Sequence, residues 1–126
     1  MPDSILTLEY CNNFPALLEQ CSLIVHHGGI GTLAEAAKAG IPQLIIPSLG
    51  DQWDNSYRID RFMLGASIPG NLLNSSNLYE TIDKIFHSDA INKKCSALRA
   101  QIKNRIYASD IAENIVTALT SAKVLG

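Results

Sequence analysis

His26-His27-Gly28-Gly29-Ile30-Gly31-Thr32-Leu33-Ala34-Glu35 is the stretch of this chain whose residue types and spacing point to chemistry. Glycines let backbone N–H groups approach an anion closely, and a helix N-terminus adds partial positive charge. A neutral imidazole contributes one further N–H donor, and protonation would strengthen it. The pattern suits recognition of a nucleoside diphosphate. For it to work, the apolar run Leu23-Ile24-Val25 must be a strand that delivers the turn, and the alanine-rich run after it must be a helix.

The neighbouring sequence supplies those elements. Ser22 to His26 reads as a short buried strand, and Gly31 to Ala39 as a helix closed by Gly40 with Pro42 beyond it. Gln43 to Ile46 is a second buried strand, stopped by Pro47. Asp51 to Leu64 is predicted helical, with Gly65 at its end, and Ala66 to Ile68 is a short strand. Upstream, Ser4 to Glu9 alternates weakly as a strand. Phe14, Leu17, Leu18 and Cys21 lie at helical spacing, with Pro15 tolerable in a first turn. Downstream, Asn74-Ser75-Ser76-Asn77 is a turn and cap cluster before three apolar stripes. These are Leu78, Ile82, Ile85 and Phe86; then Ile91, Leu98, Ile102 and Ile106; then Ile111, Ile115, Val116 and Leu119. Ser109 or Asp110 could cap a separate last helix. The expectation is an α/β fold: a parallel sheet of about four strands flanked by helices, with a helical C-terminal third.

Composition narrows the function classes. The chain has 126 residues, 47% of them hydrophobic, enough for a single domain, residues 1–126, around one core. A formal net charge of -2 gives no basic field for a polyanion, so nucleic acid is not the expected partner. No apolar run approaches the roughly 18 residues of a membrane span. The start Met1-Pro2-Asp3-Ser4 is not a basic signal peptide, so a cytoplasmic location is expected. Cys11, Cys21 and Cys95 lack metal-ligand spacing and read as core thiols. No metal or other cofactor is expected.

The glycine-rich turn continues into Glu35, Ala39-Gly40-Ile41-Pro42-Gln43, Pro47 and Asp51-Gln52. In that order and spacing the residues resemble the donor-sugar signature of UDP-dependent glycosyltransferases, in the bacterial macrolide, antibiotic and sterol branch of the GT-B fold. The ordered block runs from about residue 22 to residue 69. The resemblance implies a partial Rossmann-like C-terminal domain and roles for single residues. His27 would hydrogen-bond a phosphate of the nucleotide; the plainer alternative is a histidine packed at a strand end. His26 would point the other way and serve structure. Gly28, Gly29 and Gly31 would expose backbone donors. Thr32 would place its hydroxyl on the diphosphate, or simply cap the helix. Glu35 would accept the ribose hydroxyls, or only favour the helix dipole. Asp51 and Gln52 would hold the donor sugar, or Asp51 would cap its helix beside a solvated Gln52. Asn55 would support the same loop without touching ligand.

The chain departs from that family at two places. Relatives often carry an aromatic residue and a Pro-Gln or Pro-His pair where Cys11-Asn12-Asn13-Phe14 stands, which leaves the base open. The family also has an N-terminal acceptor domain that supplies the catalytic base, so no catalytic residue is named here. In the sheet order 3-2-1-4-5-6, this chain would hold strands three to six. Leu23-Ile24-Val25 would then lie at an open edge and invite association with another copy or with a companion chain carrying the acceptor domain. The expected function is therefore the UDP-sugar-binding part of an inverting transferase that moves a hexose to an acceptor hydroxyl and is inactive alone. The competing readings are a non-catalytic nucleotide-sugar sensor or accessory subunit, and a fragment that binds nothing.

Overall fold

The computed structural model of the chain describes the backbone of residues 11–120 and the side chains of residues 11–105. Three strands, β1 (Ile24–His26), β2 (Gln43–Ile45) and β3 (Gly65–Ser67), form a parallel sheet in the order β1-β2-β3. Ile24 pairs with Gln43, and Gln43 with Gly65. Parallel neighbours need crossover connections. The helices α2 (Ile30–Ala39) and α3 (Asp51–Arg61) supply them, after a short α1 (Phe14–Leu18). The α/β class agrees with the sequence. The strand expected at Ser4 to Glu9 lies outside the described residues. Among those residues β1 has no partner on its outer edge, and Val25 there is 42% exposed.

Helix ends follow local chemistry. The Asn13 side chain accepts the Ala16 N–H at 3.2 Å and caps α1. α1 ends at Leu18, three residues short of the predicted Cys21. Gly40 closes α2 in the left-handed region, at φ 72°. α3 stops at Arg61, before the predicted Leu64. Met63 takes the left-handed cap at φ 56°, while Leu64 N–H donates to Ile59 C=O at 3.0 Å and Met63 N–H to Asp60 C=O at 3.2 Å. Gly65 is thereby released from capping and joins β3. A 3-10 turn (Gly70–Leu72) leads to α4 (Ser75–Phe86), opened by a capping box between Asn74 and Asn77.

The last two apolar stripes do not make two helices. α5 (Asp89–Thr120) runs unbroken for 32 residues. No glycine or proline falls between residues 89 and 120, so no strong helix breaker marks a boundary at Ser109-Asp110. The stripe from Ile111 to Leu119 lies on α5, beyond the described side chains.

Alternation along β2 splits the core. Leu44 packs with Ile68 and Ile85, against Leu78 and Ile82 of α4. A second cluster joins Leu18, Ala36, Ala39 and Ile41, with Ile24 beside it. Burying Leu18, Leu44, Ile45, Ile59 and Ile85 contributes about 1.5–3 kcal/mol each. Cys95 is buried, and burial pushes its thiol up to about 11, so it stays protonated as a core residue. Arg99 clamps α5 to the rest: it donates to Ala39 C=O at 3.1 Å and pairs with Glu19 at 3.1 Å.

Candidate functional site

A cleft of about 560 Å³ opens at the carboxyl ends of β1 and β2. Gly28, Gly29 and Ile30 form one side and Leu49 to Gln52 the other, with Asp54, Asn55 and Arg58 contributed by α3. Parallel α/β sheets hold ligands at this end. A groove of about 480 Å³ between α3 and α5 is lined mostly by apolar side chains such as Phe62, Leu98 and Ile102, and holds none of the predicted site residues.

The first bond of α2 runs from Leu33 N–H to Gly29 C=O at 3.0 Å, and no side chain caps this helix. Among the described residues, the N–H groups of Gly29, Ile30, Gly31 and Thr32 therefore donate to no protein acceptor. They form the orphan-donor end of a helix, where an anion is favoured.

Gly28 corrects one expectation. Its N–H donates to His26 Nδ1 at 3.1 Å, so it is not a free donor. Its carbonyl accepts Asn55 Nδ2 at 2.7 Å, and Asn55 is buried. Held from both sides at φ 101°, Gly28 shapes the turn. Asn55 thus supports the glycine turn, not the loop that follows β2.

The two histidines divide as their side-chain directions require. His26 is half-buried. Its Nδ1 accepts from Gly28, so its proton sits on Nε2, which donates to Gln43 Oε1 at 2.7 Å. His27 is exposed and accepts Gln52 Nε2–H at Nδ1, 3.0 Å away. Its neutral ring therefore carries a proton on Nε2. Gln52 Oε1 accepts Ser48 N–H at 3.0 Å, Leu49 N–H at 3.1 Å and the Ser48 hydroxyl at 3.3 Å. The Gln52 side chain is thus neither solvated nor wholly free: it ties the loop after β2 to His27.

Asp51 is the first residue of α3 and lies exposed on the cleft. Gly50, not Asp51, occupies the cap position. Thr32 is the third residue of α2 and does not cap it, since Gly29 holds that position. Glu35 sits one turn further along α2 and pairs with Lys38 at 3.6 Å; like His27, Gly31 and Thr32, it does not line the cleft. Arg58 is a cleft residue that sequence reasoning passed over. Its spacing of seven from Asp51, through Asn55, was the available signal.

Burial lowers the His26 pKa, opposed by its bond to Gln43 and aided by the neighbouring His27. A base with a depressed folded pKa binds fewer protons folded than unfolded between that pKa and its ordinary value of 6.5. The stability from neutral His26 is complete above 6.5 and is lost as pH falls through the lowered value. Urea unfolding at pH 7.5 and 5 is expected to show a larger acid loss for the wild type than for His26→Asn.

Residues 1–118 match the family described as "Erythromycin biosynthesis protein CIII-like, C-terminal domain". The chain is 32% identical over 102 residues to a 3-alpha-mycarosylerythronolide B desosaminyl transferase of Saccharopolyspora erythraea, covering 79% of this chain and 23% of that protein. It is 42% identical over 83 residues to a sterol 3-beta-glucosyltransferase of Arabidopsis thaliana, covering 65% of this chain and 13% of that one. Among solved structures, the glycosyltransferase VinC in complex with dTDP superposes with a TM-score of 0.74 at 26% identity, covering 79% of this chain and 25% of VinC. The spinosyn forosaminyltransferase SpnP shares the fold, with a TM-score of 0.77 at 23% identity over 82% of this chain and 28% of its own. The chain thus spans about a quarter or less of these proteins. By its fold, and by a match over nearly its whole length, the chain belongs to the EryCIII-like C-terminal domain family of glycosyltransferases.

Proposed function

We propose that this chain binds the diphosphate of a UDP-sugar donor and forms the donor part of an inverting glycosyltransferase. The four unpartnered amides from Gly29 to Thr32, with the exposed His27 ring next to Gly29, carry the reading. In it, Gly29, Gly31 and Thr32 take phosphate oxygens with His27, and Gly28 sets the turn. Glu35 takes the ribose hydroxyls. Asp51, with the remaining N–H of Gln52, takes hydroxyls of a hexose. An acceptor hydroxyl attacks the anomeric carbon as the bond to the diphosphate breaks. The amides and His27 stabilise the charge that develops on the leaving diphosphate. No metal is needed for this.

The acceptor and its base belong, in this reading, to a second domain, in a longer chain or a companion chain. The β1 edge around Val25, open among the described residues, is the surface that such a partner, or a second copy, would cover. Sedimentation as a strict monomer at high concentration would argue against that association.

Titration calorimetry with UDP and with dTDP tests the site. Binding of either supports it, and absence of both sinks it. His27→Ala is expected to weaken binding by about 1.5–3 kcal/mol, the cost of losing a hydrogen bond to a charged group. Unchanged affinity would remove His27 from the site.

A further inference from the structure

Gln43 is a polar side chain only 1% exposed, in the middle strand of the sheet. An apolar residue would suit that position better, because a buried amide must find every partner it gave up in water. Gln43 has found them in one direction only, toward the glycine turn. Its Oε1 accepts His26 Nε2–H at 2.7 Å, and its Nε2 donates to Leu33 C=O at 3.2 Å. His26 in turn accepts Gly28 N–H at 3.1 Å. A single relay therefore grips the turn at Gly28 and again at Leu33. The four unpartnered amides, Gly29 to Thr32, lie between those two anchor points.

We infer that His26 and Gln43, neither of which lines the cleft, are positioning residues that hold the Gly29–Thr32 amides in register for the diphosphate. The inference rests on the nucleotide-binding reading above. Preorganised donors contribute more than mobile ones because no ordering cost falls on the binding step. The relay has one workable protonation state. Gln43 is oriented by Leu33 C=O, which accepts only a donor, so its oxygen must face His26. His26 must then be neutral with its proton on Nε2. A second proton, on Nδ1, would confront the Gly28 N–H with another donor. His27 is the titratable neighbour that acts on His26 among the described residues, and the other groups packed on its ring are the uncharged Gln43 and the Gly28 amide.

The test compares UDP affinity, stability and tautomer in the full 126-residue chain. Gln43→Met keeps the volume and removes both hydrogen bonds. It is expected to raise the UDP Kd about tenfold or more, the scale of one lost hydrogen bond, while the protein stays folded. His26→Phe should do the same, and the double variant should be no worse than either single variant. His26→Asn, whose carbonyl can accept the Gly28 N–H as an Asx turn does, should recover most of the affinity that His26→Phe loses. Nitrogen-15 spectra of the wild type should show His26 protonated on Nε2 at neutral pH. Wild-type binding of UDP with an unchanged Kd in folded Gln43→Met would overturn the positioning role alone, as would a His26 proton on Nδ1. Failure of the wild type to bind UDP or dTDP would overturn the nucleotide reading and the positioning role with it.

Discussion

Gly65→Ala is expected to lower the thermal midpoint by about 10 °C, on the order of 2–4 kcal/mol for a domain of this size. A Cβ at position 65 would run into the Gln43 carbonyl, and would also lie 2.7 Å from the Gln43 carbonyl carbon and 2.9 Å from its nitrogen. All three are backbone atoms of the central strand. Flexible side chains can swing aside, but β2 can yield only by sliding against β3, and that would disturb the Gln43–Gly65 pairing. Thermal unfolding followed by circular dichroism measures the loss. A midpoint within about 2 °C of the wild type would show that β2 and β3 are not this close in solution.

The second large effect is at Gly28. Gly28→Ala is expected to cost about 2–3 kcal/mol of stability and to weaken nucleotide binding at least tenfold. At φ 101° an L side chain is strained whatever the space around it. Here the added Cβ would also lie 3.0 Å from Ile45 Cγ2 and 3.1 Å from the Gln52 carbonyl oxygen. Ile45 can adjust, but the Gln52 backbone lies in the first turn of α3. Relief would come from rotating the turn, which breaks its bonds to His26 and Asn55 and moves the amides that follow. Gly31→Ala is the control for stability. Nothing lies within 4 Å of its would-be Cβ, and Gly31 is helical, so stability should rise by about 0.5–1 kcal/mol. Urea denaturation of both variants alongside UDP titration separates the two glycines. Equal effects on stability would mean that the turn is set by something other than Gly28.

Much of the scaffold was legible because its signals are local. Gly40 followed by Pro42 ends α2 through chemistry confined to a few residues, and the apolar runs of β1 and β2 are short and bounded by turn residues. The misreadings came from residues with two possible uses. Gly65 looks like a helix stop, yet it serves the approach of two strands, and Met63 takes the cap position that glycine usually fills. Ser109-Asp110 looks like a cap, but nothing there breaks α5.

The site divided in the same way. The glycine turn and Asp51-Gln52 could be placed at one cleft, because loops that follow adjacent parallel strands emerge at the same end of the sheet. How the side chains join across it could not be read. The bond from Gln52 to His27 spans 25 positions, and that from Asn55 to Gly28 spans 27. Helical spacing from Asp51 could have flagged Arg58. The strand Gln43 to Ile46 read as buried, but nothing in it says that the Gln43 amide bonds His26 and Leu33.

Gln52 has a mechanical consequence. One amide group fastens Ser48 and Leu49 with its oxygen and His27 with its nitrogen. The loop after β2 and the residue before the glycine turn are therefore yoked together. In the proposed reading, a guest that tugs the imidazole transmits the pull through three atoms of the Gln52 amide to the Ser48–Leu49 loop. In that donor-binding reading, grip on the phosphate and posture of the sugar would tighten or slacken in concert.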